Sequence, residues 1–202
     1  MSFIGYLMEK PWTHQGEVDD RHGAIALPTV TLGLRMFLAV VTVLFSLLIV
    51  SYSDRMKFAD WHQLPTPSLL WLNTALLVLS SVGLHWAQVN VRRGQMDGVQ
   101  AGLLAGGVFA FAFLIGQVLA SRQLTALGYF AAANPAIAFF YLLTAVHGLH
   151  LLGGLVAWGR TSAKVWRGYA AVDVRLSVEL CAVYWHFLLV VWLVLFGLLL
   201  FT

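Results

Sequence analysis

The fold of this chain is decided by its last apolar stretch, which contains VELCAVYWHFLLVVW at residues 178–192. A carboxylate at Glu179 precedes His186 by seven residues, about two helical turns, so both side chains lie near one helix face. Lipid offers no hydrogen-bond partner to polar groups at membrane depth, so such groups normally face other protein segments. The stretch therefore predicts a transmembrane helix that packs against further helices.

The composition of the whole chain is that of a membrane protein. Of its 202 residues, 60% are hydrophobic and 10% are charged, whereas soluble domains carry about 25% charged residues. Five apolar stretches have the roughly 20 residues that a membrane-spanning helix needs. They lie at about 28–52, 68–91, 98–120, 136–159 and 176–201. We predict an all-α fold, one bundle of five transmembrane helices over residues 28–202, preceded by a polar tail at 1–27.

The distribution of basic residues predicts the orientation of this bundle. The tail, the second loop and the fourth loop would share one side of the membrane and hold Lys10, Arg21, Arg92, Arg93, Arg160, Lys164, Arg167 and Arg175; the opposite side holds Arg55, Lys57 and Arg122. Basic residues concentrate on the cytoplasmic side of membrane proteins. We therefore expect the N-terminus in the cytoplasm and the C-terminus on the outer side of the membrane. This topology also explains the net charge of +3 without a nucleic-acid partner.

Few ionisable side chains lie inside the predicted spans. They are Arg35, His85, His147, His150, Glu179 and His186. Histidines and a carboxylate can hold zinc or non-haem iron, and a histidine pair can ligate haem. However, membrane di-iron enzymes need many more histidines in grouped motifs, and a proton channel needs titratable groups through the whole bilayer. We therefore expect no metal site and no catalytic centre in this chain.

A structural polar network is the interpretation that these residues favour. His147 and His150 are three residues apart and so share a face of the fourth helix. We expect Glu179, His186 and Tyr184 of the fifth helix to pair with these histidines and to fix helix register. Arg35 of the first helix is expected to extend to the membrane interface, or to contact a partner subunit or a lipid phosphate.

The last two stretches resemble subunit III of the haem-copper terminal oxidases, which include cytochrome c oxidases and quinol oxidases. FFYLLTAVHGLHLLGG at 139–154 is similar to that family's H-G-x-H helix, and VELCAVYWHFLLVVW is similar to its E-x-x-x-x-Y-W-H-F helix. LLWLNTALLVLSS at 69–81 also resembles the family's L-N-T run. The resemblance covers about residues 28–202 and fits the short bacterial form with five helices. It therefore implies a bacterial cytoplasmic membrane, with the C-terminus in the periplasm.

The resemblance implies an accessory role in aerobic electron transport. In that family, subunit III binds no haem or copper, which reside in partner subunits. It packs beside the catalytic subunit I, and with it subunit II, supports stable turnover, and holds phospholipid in a cleft between its helices. The positions that match the family motifs are His147, His150, Glu179, Tyr184, Trp185 and His186. For these the resemblance implies structural or lipid-cleft roles, not catalytic ones.

Two positions depart from the family pattern. Val41 stands where many members carry a membrane glutamate, and Leu188 stands where an aspartate usually follows the Y-W-H-F motif. The loss of both carboxylates argues against a proton-relay role. The main alternative is a subunit III-like accessory protein of a nitric oxide reductase, which has a similar fold. An independent membrane metalloenzyme or transporter is an alternative of a different class.

Overall fold

A computed structural model describes residues 29–58, 61, 68–128 and 135–200. In this part of the chain five α-helices follow one another: α1 (Thr29–Arg55), α2 (Leu69–Arg92), α3 (Met96–Ala126), α4 (Pro135–Trp166) and α5 (Ala171–Leu200). All five are long and apolar enough to cross a membrane. The predicted all-α, multi-pass membrane fold is therefore confirmed. The polar tail predicted at 1–27 lies outside the described residues.

Three helices extend at least five residues beyond the predicted spans. α3 continues to Ala126 and α4 to Trp166, while α5 already begins at Ala171. Hydropathy marks only the part of a helix that lies in lipid, whereas the backbone bonds of a helix continue until a residue interrupts them. Gly128 and Gly168 do so beyond α3 and α4, with φ of 85° and 81°. Glycine adopts this left-handed conformation without steric cost and so ends helices.

The closest helix pair is α2 with α3, where glycines bring the two backbones together. A Cβ atom on Gly83 would lie 2.9 Å from the backbone nitrogen of Gly106, and one on Gly102 would lie 2.7 Å from that of Ala87. No larger side chain fits there without a shift of the backbone. Small residues of α3 thus allow the close packing of these two helices. α5 packs against both α2 and α4 and completes the core.

The first helix lies at the edge of this bundle, against α4 and α5. Among its described residues it buries Val41, Phe45 and Tyr52. Val41 and Leu188, which replace the family's carboxylates, are 2% and 0% exposed and belong to the apolar core. The loose packing of α1 leaves a cleft between it and the other helices.

Candidate functional site

Glu179 lies near the start of α5, and its carboxylate binds arginines rather than histidines. Nε of Arg92 on α2 donates to Oε1 at 2.8 Å, and Nε of Arg175, one turn earlier on α5, donates to the same oxygen at 3.2 Å. The predicted contact of Glu179 with His147 or His150 is therefore wrong. The reason is position: α2 ends where α5 begins, so the charges meet at the border of the apolar region, where arginine stays hydrated.

His147 lies instead among aromatic rings in the core and is 1% exposed. Its ring centroid is 5.2 Å from that of Trp192, 6.0 Å from Phe113 and 6.3 Å from Phe45. Neither imidazole nitrogen has a hydrogen-bond partner among the described residues. The imidazole of His147 therefore packs against aromatic rings, and the expected hydrogen bonds to polar side chains of α5 are not formed.

His150 and Tyr184 do link α4 to α5, but through the backbone. The hydroxyl of Tyr184 donates to the carbonyl oxygen of His150 at 2.8 Å. The imidazole Nδ1 of His150 bonds the carbonyl oxygen of Val146, one turn earlier, at 2.7 Å. The predicted contact between the two helices is thus present for Tyr184, with a main-chain atom in place of the imidazole.

His186 faces α2 rather than α4. Its Nδ1 bonds the carbonyl oxygen of Ala182 on its own helix, and its ring lies edge-on to that of His85, with 5.7 Å between centroids. This histidine pair lies seven residues, about two turns, from the pair of Arg92 and Glu179 on each helix. The antiparallel seam of α2 and α5 therefore carries two polar pairs, and the imidazole of His85 is exposed on it.

Indole groups form the hydrogen bonds between helices that the sequence interpretation missed. Nε1 of Trp185 donates to Oγ of Ser80 at 2.8 Å, and that hydroxyl donates to the carbonyl oxygen of Gly106 at 2.7 Å. Two further tryptophans act in the same way: Trp192 donates to Thr74 Oγ1 at 3.0 Å and Trp158 to the carbonyl oxygen of Leu103 at 2.9 Å. Small polar residues in the sequence of α2 could have indicated these bonds. Ser80 and Thr74 lie at the same depth in the bundle as the indoles of Trp185 and Trp192 on α5.

The cleft beside α1 has a volume of about 450 Å³. Its lining comes from α1, α4 and α5, and of the predicted polar residues Tyr184 takes part in it. Arg160 and Lys164, one turn apart and exposed, give one end of the cleft positive charge. Arg35 is exposed on α1 and does not line the cleft.

The five membrane-length helices and the bonds that join them define a polytopic helical membrane protein. More specifically, the chain belongs to the cytochrome c oxidase subunit III family, whose family model matches residues 10–201. The match confirms the resemblance, which was predicted for about residues 28–202, and it begins earlier in the chain, at residue 10.

Individual relatives agree with this family. The chain is 28% identical to cytochrome c oxidase subunit 3 of Thermostichus vulcanus, over 92% of this chain and 96% of the relative. It is 30% identical to the protein of the same name from Synechocystis sp., over 90% of this chain and 78% of the relative. It is also 25% identical to cytochrome bo(3) ubiquinol oxidase subunit 3 of Pseudomonas putida, over 82% of each chain. The relatives thus include subunits of both cytochrome c and ubiquinol oxidases.

Proposed function

We propose that this chain is the non-catalytic subunit III of a respiratory haem-copper oxidase in a bacterial cytoplasmic membrane. It packs beside the catalytic subunit I, and through it joins subunit II, and it stabilises that assembly. Haem and copper belong to those partner subunits. The N-terminal tail lies in the cytoplasm and the C-terminus in the periplasm. Family membership across residues 10–201 supports this assignment.

The family match carries the assignment, and the exposed side chain of His85 indicates which face of the chain docks on the partner. His85 precedes Arg92, the last residue of α2, by seven residues, so it lies ~10 Å inside the membrane border. Its ring contacts that of His186, and the residue is exposed on the surface of the chain. A polar ring at that depth is unfavourable in lipid and is stabilised by a polar group of a neighbouring protein. The seam of α2 and α5 is therefore the face that docks on the catalytic subunit.

The cleft beside α1 supports the lipid-holding part of the proposal. It is lined mainly by apolar side chains and carries Arg160 and Lys164 at one end. A phospholipid would place its acyl chains along Leu34 and Phe37 and its phosphate near the two cations, which bind phosphate well. Arg35 would add a third cation at the same membrane surface.

The partner's metal content tests the proposed function. The tagged chain is purified with its partners from native membranes in mild detergent, and the metals and haem spectrum of the complex are measured. We expect a large subunit that contains both haem and copper. Haem with non-haem iron and no copper would instead identify a nitric oxide reductase. A chain that purifies alone with its own bound metal, or that conducts ions in vesicles, would overturn the accessory assignment.

A variant pair tests the docking face separately. His85→Phe keeps the ring and removes both nitrogens, so the recovery of the catalytic subunit should fall about threefold, the effect of one typical polar contact in a membrane protein. Thr42→Val is the matched control, because Thr42 is exposed on α1 and its hydroxyl bonds Leu38 of its own helix at 2.8 Å. Equal recovery of the catalytic subunit with both variants would show that the docking face lies elsewhere on the chain. The oxidase assignment would then rest on the metal analysis alone.

A further inference from the structure

A second groove, of about 530 Å³, lies between α3 and α4 and shares no lining residue with the cleft beside α1. One end of it is polar: the hydroxyl of Tyr141 lies 3.2 Å from Thr125 Oγ1 and donates to the carbonyl oxygen of Ser121 at 3.4 Å. The other end is lined by Leu114 and Leu152. The groove therefore changes from polar to apolar along its length, as an amphiphile does.

The length of the groove fits one leaflet of a membrane. The lining residues Leu114 and Thr125 are eleven positions apart on α3, ~16 Å along the helix axis. Half of a hydrocarbon core about 30 Å thick is ~15 Å. A transmembrane helix of a partner protein would need a groove of twice this length, so the dimensions favour a lipid.

A ridge on α3 divides this groove from a shallower one of about 330 Å³. Leu114, Val118 and Arg122 follow one another at four-residue intervals, so they form a row on the helix surface, and all three line both grooves. The two grooves thus lie on either side of one row of side chains that ends in a guanidinium group. Two acyl chains that diverge from one headgroup fit this arrangement.

Two polar side chains on α3 match the head region of such a lipid. Arg122 is exposed, and no acidic group pairs with it among the described residues. Gln117 lies five residues earlier, ~7 Å deeper in the membrane. Gln117 lines the groove, and its buried amide has no hydrogen-bond partner within the described part of the chain. A phosphate matches the guanidinium group, and the ester carbonyls that lie below a phosphate match the amide.

We propose that α3 and α4 bind one diacyl phospholipid, from the leaflet that surrounds the C-terminal half of α3. Its phosphate contacts Arg122, and its two acyl chains lie on either side of the ridge. An ester carbonyl accepts a hydrogen bond from the amide of Gln117, which turns outward into the groove. This site is separate from the cleft beside α1 and does not depend on which oxidase the chain joins.

Native mass spectrometry tests the site on the full chain with its copurified subunits. The complex is stripped of lipid in detergent and titrated with palmitoyl-oleoyl phosphatidylglycerol, and bound lipids are counted. Arg122→Gln should weaken one binding event about tenfold, as expected for a lost charge-assisted bond. Gly148→Leu should abolish that event, because Gly148 lines the groove, a Cβ atom there meets nothing within 4 Å, and the added side chain would occupy the space of the lipid.

The matched controls are Arg55→Gln and Gly33→Leu. Arg55 ends α1 at the same membrane surface as Arg122, and a Cβ atom on Gly33 also meets nothing within 4 Å. Both controls should leave the bound lipid unchanged. An unchanged lipid count in Arg122→Gln and Gly148→Leu would overturn the proposal. So would a Gly148→Leu variant that keeps its lipid but loses a partner subunit, because the groove would then hold protein.

A diether analogue of the same lipid tests the role of Gln117. The analogue lacks ester carbonyls, so the unaltered chain should bind it about fivefold more weakly than the diester lipid, the effect of one hydrogen bond. In Gln117→Leu this preference should vanish, since leucine donates no hydrogen bond. Equal preference in both chains would contradict the proposed contact between the amide and the ester.

Discussion

Replacement of Ser80 by alanine removes the hydroxyl that joins α5 to α2 and α3. Trp185 Nε1 lies 2.8 Å from Ser80 Oγ, and both residues are 0% exposed. In Ser80→Ala the indole N–H loses its acceptor and water does not reach it, while the Gly106 carbonyl keeps its bond within α3. An unpaired buried donor costs about 1–3 kcal/mol, and polar contacts in membrane proteins reach about 1.7 kcal/mol. We expect the free energy of unfolding to fall by about 1–2 kcal/mol.

Equilibrium unfolding of the purified chain in mixed detergent micelles measures this loss. Thr42→Val serves as the control, since its exposed hydroxyl bonds only its own helix among the described residues. Trp185→Phe and the double variant complete a double-mutant cycle, which isolates the energy of the indole–hydroxyl pair. The two losses should not add, because each single substitution breaks the same bond. A coupling energy below about 0.3 kcal/mol would refute the reasoning.

Two further predictions use the same unfolding measurement. Glu179→Ala should lower the free energy of unfolding by less than about 1 kcal/mol, and by less still in 1 M salt. The reason is that the side chain of Glu179 is 24% exposed, so ions screen its pair with Arg92. A larger loss that salt does not change would indicate a buried partner instead. Gly154→Leu should cost about 1–3 kcal/mol, because its Cβ atom would lie 2.7 Å from the ring of Tyr184. Gly153→Leu is the control, because its Cβ atom meets open space, and it should change stability by about 0.5 kcal/mol at most. Equal losses from the two substitutions would contradict the close contact between Gly154 and Tyr184.

The number of helices and their membrane character could be predicted because they depend only on local composition. A run of about 20 apolar residues has few alternatives to a membrane helix. The spacing of Gly102 and Gly106 also indicated that another helix packs closely on α3, since small residues at helical spacing allow backbones to touch. These features need no knowledge of which helices are neighbours.

The partner of Glu179 could not be predicted, because it depends on which helices are neighbours. Helical periodicity places Glu179 and His186 on one face, but it does not say which helix that face meets. Arg92 lies 87 residues away in the sequence and was assigned to the second loop as one of the basic residues that set the orientation. Three-dimensional neighbours depend on the rotation of each helix about its axis, which the packing of the whole bundle determines. The roles proposed for the cleft and for Arg35 remain predictions.

The small number of buried side chains on α1 has a consequence for motion. Because this helix is held by few core contacts, it can separate from the bundle at a lower free energy than α3, whose backbone touches α2. Such separation widens the cleft sideways, toward the surrounding bilayer, while α2 to α5 stay folded. Such a movement would give a molecule in the cleft a lateral route to and from the bilayer.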